Sequence, residues 1–201
     1  MNLYSKLQQR ESENSPIRVC MIGAGKFGSM FLAQLPRLPG IHVAAIADLK
    51  PENAQSNLEY VGWEPDKYSA KSIDEAIKTG TTFVTDDWQS LIEKSPIDIV
   101  IECTGDPISS TEHCISSFKN GKNVINATVE ADALCGPSLA RQAKNAGVVY
   151  SMAYGDQPAI ACELVDWARA CGFKTVAAGR GHKWIPEYRF STPDTVWNHW
   201  G

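Results

Sequence analysis

Apolar residues in this chain cluster in short blocks, and helix-spaced polar stretches separate the blocks. Val19–Ile22, Ile41–Ala47, Thr82–Thr85, Asp98–Cys103, Asn123–Ala127, Val148–Ser151 and Thr175–Ala178 read as strands. Between them, apolar positions recur at helical spacing over residues 29–35, 51–61, 72–80, 88–94, 109–119, 137–145 and 158–170. Ser72-Ile73-Asp74-Glu75 has the form of a capping box, and Gly62, Gly80, Gly121 and Gly147 sit where helices should stop. Residues 49–81 exceed an ordinary crossover, so Trp63–Ser69 reads as an inserted loop. Strand–helix alternation at this spacing predicts right-handed crossovers and a doubly wound parallel sheet covered on both faces, an α/β fold.

The first strand runs straight into Gly23-Ala24-Gly25-Lys26-Phe27-Gly28, and a helical pattern follows at once. Gly23 permits the tight turn, Gly25 leaves the backbone open to a pyrophosphate, and Gly28 lets the helix pack close on the sheet. Amides of the first helical turn, from Lys26 and Phe27 onward, would face the phosphates. The second strand ends in Asp48, 25 positions after Gly23, where a carboxylate would meet an adenosine ribose. This is the signature of a Rossmann-type dinucleotide-binding domain. Asp48 repels a 2′-phosphate and so favours NAD, although NADP(H) stays open because Lys50 follows.

Other candidates collect at the carboxyl ends of later strands, the rim that carries ligands in an open parallel sheet. Cys103, Thr104 and Gly105 close the fourth strand where a nicotinamide ribose would pass, and Asn126 and Glu130 follow the fifth. Cys103 is read with the cofactor loop and as a structural thiol, since no histidine is placed by sequence to activate it. Glu102, within a buried strand, needs a partner if ionised. Capping of the next helix is the bland explanation for Asp156. Lys183, past the last strand, is the candidate for stabilising oxyanion charge at a reacting carbonyl. The histidines lack metal-ligand spacing, and no metal is expected.

Composition narrows the function classes. The net charge of −4 argues against nucleic acid as a partner. No apolar run suits a bilayer, no signal-like core opens the chain, and the six cysteines form no C-x-x-C pair. A cytoplasmic protein acting on a small molecule is expected. Residues 1–16 read as a helical arm, 17–180 as the dinucleotide-binding domain, and 181–201 as the start of a substrate domain. Thr192-Pro193-Asp194-Thr195 opens a helix carrying Trp197 and Trp200, which need cover from more protein. The sequence thus reads as the amino-terminal part of a longer protein, inactive in isolation.

From about Pro16 to its end the chain resembles the homoserine dehydrogenase-related oxidoreductases. The branch it is most similar to is the 1-deoxy-D-xylulose 5-phosphate reductoisomerase-like proteins, whose members commonly carry a carboxy-terminal SAF domain. The resemblance rests on Ile22–Gly28, Val100–Gly105, Val129–Asp132, Tyr154–Pro158 and Thr192–Val196, of which the last two stretches are the narrowest. It implies NAD(P)-linked redox chemistry on a small polar carbonyl or hydroxyl compound, such as a sugar phosphate or amino-acid derivative, in an oligomer. The branch includes users of NADPH. Two rivals from other classes are a non-catalytic dinucleotide sensor and an S-adenosylmethionine-dependent methyltransferase, which can also place glycines after strand one and an acid after strand two.

Overall fold

A computed structural model describes residues 2–153, 157–179, 185–196 and 198. The chain divides into two compact units, residues 1–153 and 154–201.

The first unit is built on six parallel strands. They are β1 (Ile17–Ile22), β2 (Ile41–Ala47), β3 (Phe83–Thr85), β4 (Ile99–Glu102), β5 (Asn123–Asn126) and β6 (Tyr150–Met152). Their order across the sheet is β3-β2-β1-β4-β5-β6. The order reverses between β1 and β4, and a crevice opens there at the carboxyl ends of the strands. The helices are α1 (Leu3–Ser12), α2 (Lys26–Leu32), α3 (Pro51–Tyr60), α4 (Ile73–Thr79), α5 (Trp88–Lys94), α6 (Pro107–Lys119) and α7 (Val129–Ala146).

Period-2 alternation in the strands sorts the core into two layers. Cys20, Ile22, Ala45, Ala47, Val100 and Val124 meet Leu91, Ile92, Cys114, Phe118 and Leu139 on the face covered by α5, α6 and α7. Val19, Met21, Val43, Ile46 and Ile101 meet Leu32, Ala54 and Leu58 on the face covered by α2 and α3. Pairing between β1 and β2 slips after Val19, which faces Val43, so that Cys20 faces Ala45.

Helix ends follow the local chemistry. The Ser72 hydroxyl accepts from the Glu75 amide (3.2 Å), and Gly80 closes α4 in the left-handed region (φ 72°). Asp87 and Asp106 cap α5 and α6 through the amides of Ser90 (3.0 Å) and Ser109 (2.7 Å). The arm α1 is held by the Gly40 amide, which donates to Glu11 Oε2 (2.7 Å). The long second crossover contains a short 3₁₀ turn at Pro65–Tyr68, and the Trp63 indole donates to the Leu32 carbonyl (3.0 Å).

Three features depart from the sequence reading. Helix α7 starts at Val129 rather than 137, because Thr128 ends the preceding turn and helical residues follow directly. Pro137 lacks an amide, and the strain appears as a kink inside the helix at Cys135 (φ −146°, ψ 17°). Residues 175–178, expected as a seventh strand, have no regular structure, and Val176 is 90% exposed.

In the second unit, α8 (Gln157–Ala170) and a 3₁₀ turn at Pro186–Phe190 are the described elements. Amides of Thr195 and Val196 both donate to the Thr192 carbonyl, the turn expected of Thr-Pro-Asp-Thr. Trp197 and Trp200 lie outside the described residues.

Layering of this kind predicts a sharp contrast at the end of β2. Ile46→Ala, at a fully buried position, should cost about 2–5 kcal/mol. Leu49→Ala, only three residues on but 92% exposed, should stay within about 0.5 kcal/mol. Urea unfolding of the two variants provides the comparison.

Candidate functional site: a glycine-lined cleft over a buried carboxylate

The end of β1 is clasped from both sides. The Gly23 amide donates to the Ala47 carbonyl (2.8 Å), and the Cys103 amide donates to the Ile22 carbonyl (2.9 Å). Gly23 adopts φ +90°, and a Cβ there would lie 2.9 Å from the Cys103 carbonyl carbon. A Cβ on Gly28 would stand 2.8 Å from the Gly23 oxygen, so α2 packs against the turn only because both residues are glycine. Gly25 differs from both: nothing lies within 4 Å of the position its Cβ would take. That open space is part of a cleft of about 320 Å³.

Gly23 and Gly25 form one wall of this cleft, with Ile22, Ala47, Asp48 and Leu49 at the end of β2. Asp86 and Trp88 enter from the loop after β3. Cys103, Thr104, Asp106, Ser109, Glu112 and His113 complete it from the end of β4 and the first turns of α6. Among the described residues four of the lining side chains are carboxylates, and none is a lysine or arginine. Asp48 is partly committed: Oδ2 accepts from the Ala24 amide (2.9 Å) and Oδ1 from the Lys50 amide (3.0 Å). Amides hold Asp106 below the usual carboxylate range, chiefly that of Ser109.

Beneath the cleft sits a carboxylate with no exposure at all. Glu102 accepts from Thr104 Oγ1 (2.7 Å), from His113 Nδ1 (3.1 Å) and, at short range, from Thr128 Oγ1. Burial alone would raise its pKa, but the donors from His113, Thr128, Thr104 and Ser110 outweigh it and leave the pKa lowered. The network continues sideways. The Gly105 amide donates to Thr128 Oγ1 (3.0 Å), and Asn126 Oδ1 accepts from the Thr128 amide (3.0 Å) and from Ser110 Oγ (3.3 Å). Asn126 Nδ2 donates to the Tyr150 hydroxyl (3.1 Å), which donates to Asp132 Oδ1 (3.1 Å). Burial pushes the Tyr150 phenol up, keeping it a donor.

The residues singled out in the sequence therefore divide. Gly23, Gly25, Asp48, Cys103 and Thr104 line one cleft. Gly28 supports it from behind, and Lys26 and Phe27 stand exposed in the first turn of α2 outside the lining. Gly105 lies beside the cleft, tied to Thr128. Asn126 is fully buried and outside the lining, with Oδ1 accepting from the Thr128 amide and Ser110 Oγ and Nδ2 donating to the Tyr150 hydroxyl. Glu130 is exposed in the first turn of α7 and not in the lining. Cys103 is a structural thiol: its Sγ donates to the Gly23 carbonyl (2.8 Å), and burial raises its pKa. Lys183 and Asp156 lie outside the described residues.

Sequence reasoning missed Asp86, Trp88, Glu112 and His113. A signal for the last was present: Ser110, His113 and Ser117 put polar groups on the buried face of α6, where apolar residues are normally found.

Removing the buried charge tests the floor. The folded pKa of Glu102 lies below its unfolded value, so its contribution to stability is complete above the ordinary glutamate range near pH 4.3. It is lost as pH falls through the folded pKa. Glu102→Gln, which leaves donors facing an amide, should cost about 1–3 kcal/mol at pH 7 by urea unfolding. The loss should narrow as both proteins are taken into acid.

These features can be set beside known proteins. A family described as "Homoserine dehydrogenase, NAD binding domain" matches residues 23–152, and one described as "Oxidoreductase DRL, catalytic domain" matches residues 155–200. No curated protein sequence matches the chain. Among solved structures, a homoserine dehydrogenase from Thiobacillus denitrificans is similar at 22% identity, over 77% of this chain and 34% of that one, with a TM-score of 0.57. An NAD binding oxidoreductase from Klebsiella pneumoniae is similar at 18% identity, over 78% of this chain and 39% of that one, with a TM-score of 0.52. At such identities the likeness is one of fold, and this chain spans well under half the length of either structure. The match over residues 23–152 covers more than half of the chain and contains the whole cleft apart from Ile22, which places it at the level of family: the chain belongs to the homoserine dehydrogenase NAD binding domain family of oxidoreductases.

Proposed function

We propose that this chain is the NAD-binding part of a dehydrogenase that moves a hydride between nicotinamide and a small polar carbonyl or hydroxyl compound. The observation that carries this is the cleft, in which an unobstructed Gly25 and the carboxylate of Asp48 flank one space at the sheet's topological switch point. The residues fit the dinucleotide: open backbone at Gly25 for the pyrophosphate, an acceptor at Asp48 for ribose hydroxyls, and Leu49 and Trp88 as apolar walls for a base. When bound, the dinucleotide supplies the hydride acceptor or donor. The chain's own part is to orient it, to exclude water with Ile22 and Trp88, and to hold Thr104 and Gly105 beside the route toward β5.

NAD is preferred to NADP in this reading. A 2′-phosphate would enter a cleft edged by Asp48, Asp86, Asp106 and Glu112, with no lysine or arginine in the lining among the described residues. A role for Lys183 at the reacting carbonyl, a sugar phosphate or amino-acid derivative as substrate, and the 1-deoxy-D-xylulose 5-phosphate reductoisomerase-like branch belong to the same proposal. The match of residues 155–200 to the DRL catalytic domain supports the branch. Helix α8 exposes Ile160, Leu164 and Trp167 at helical spacing, which supports association with further protein or a second subunit.

Gly25→Val should fold normally, because the backbone there (φ −71°, ψ −155°) suits any residue and the Cβ meets open space. Its NADH affinity should fall at least about tenfold, equivalent to about 1.4 kcal/mol. Unchanged NADH fluorescence titrations with a native melting curve would refute the pyrophosphate assignment. Asp48→Ser should raise NADPH affinity relative to NADH and lower the melting temperature, because the Ala24 and Lys50 amides lose an acceptor. An unaltered cofactor ratio would remove Asp48 from the ribose site.

A further inference from the structure

We infer that His113 is a ligand-contacting residue of the cleft, oriented by the buried Glu102 so that its outer nitrogen reads the adenine amino group of the dinucleotide. The inference rests on the dinucleotide reading above and extends it to a residue outside the glycine loop and Asp48. Glu102 is entirely buried, and hydrogen bonds from His113, Thr128 and Thr104 outweigh the effect of burial and lower its pKa, which favours the carboxylate. A carboxylate in that state only accepts hydrogen bonds, so the hydrogen of the His113 contact (3.1 Å) sits on Nδ1. In the neutral ring this leaves Nε2 as an acceptor, and among the described residues Nε2 has no hydrogen-bond partner.

The ring is also fixed in space. His113 is 5% exposed, and Trp88 packs edge-on against it with centroids 4.5 Å apart and planes at 69°. Both residues line the cleft that contains Gly25 and Asp48. A dinucleotide with its pyrophosphate over Gly25 and its ribose at Asp48 sends the base toward the side formed by Asp86, Trp88 and α6. Adenine there offers one strong donor, the exocyclic amine, to a wall whose polar side chains are mainly acceptors. A buried carboxylate that served stability alone would need no histidine between itself and the cleft. Here the imidazole carries its hydrogen-bonding direction from Glu102 out to the ligand space, which makes Glu102 a positioning residue for the histidine.

The test uses reduced NAD and its hypoxanthine analogue, in which a carbonyl replaces the 6-amino group. Each is titrated by fluorescence against the 201-residue chain. The unsubstituted chain should bind NADH about three- to tenfold more tightly than the analogue, the value of one hydrogen bond. His113→Asn, whose amide can still donate to Glu102 but lacks the outer nitrogen, should bind the two equally. His113→Gln, whose longer amide reaches the outer position with a carbonyl, should recover part of the preference and serves if the asparagine variant does not fold. Equal binding of both ligands by the unsubstituted chain, or a preference retained in either His113→Asn or a folded His113→Ala, would overturn the role of His113 alone. Failure of the unsubstituted chain to bind either ligand would instead overturn the dinucleotide reading and this inference with it.

Discussion

Between the turn that ends β1 and the end of β4 there is room for backbone and nothing more. A methyl group on Gly23 would press on the carbonyl of Cys103, and one on Gly28 would press on the carbonyl of Gly23. This double contact lets α2 begin directly beneath the strand ends and brings β1 next to β4, where the sheet order reverses. The crevice is a consequence of that contact. The strand to its left continues into Asp48, the strand to its right into Thr104, and the space above Gly25 is left without side-chain atoms.

The second constraint is electrostatic. A carboxylate placed with no exposure at the end of a central strand is costly unless hydrogen-bond donors replace the water it has lost. Glu102 meets that demand by drawing donors from β4's own loop, from α6 and from the turn before α7. One charge thereby ties together three segments that are far apart in sequence, and a further chain of hydrogen bonds through Asn126 and Tyr150 reaches Asp132. The floor of the cleft is rigid for this reason. Its stiffness comes from a satisfied polar network set within an otherwise apolar sheet.

Much of the fold was legible because strand and helix periods differ and the glycines punctuate them. β2 matched its apolar run residue for residue, and Ser72 and Gly80 marked the ends of α4. Local pattern failed where the outcome depended on distant partners. Thr175–Ala178 has the composition of a strand, but strand propensity depends on context more than on composition, and the segment has no regular structure. In α7 the proline displaced the expected start, although Thr128 and Val129 already carried the chain into a helix. The cleft was legible at Gly23, Gly25, Asp48 and Thr104, which follow strands directly. Trp88 and His113 were not, since their neighbourhood is created by packing of α5 on α6, and the burial of Asn126 depends in the same way on its partners Tyr150 and Thr128.

Under the proposed function, the first unit presents a single dinucleotide site between the ends of β2, β1 and β4. Amide-resolved NMR of the 201-residue chain during addition of NADH tests this most directly, because it reports location independently of turnover. Saturable shifts should concentrate at Ala24, Gly25, Lys26, Asp48, Trp88 and Thr104 and fit one site. Shifts centred instead on α3, α4 or the edge strand β3, or none at millimolar NADH, would contradict the account.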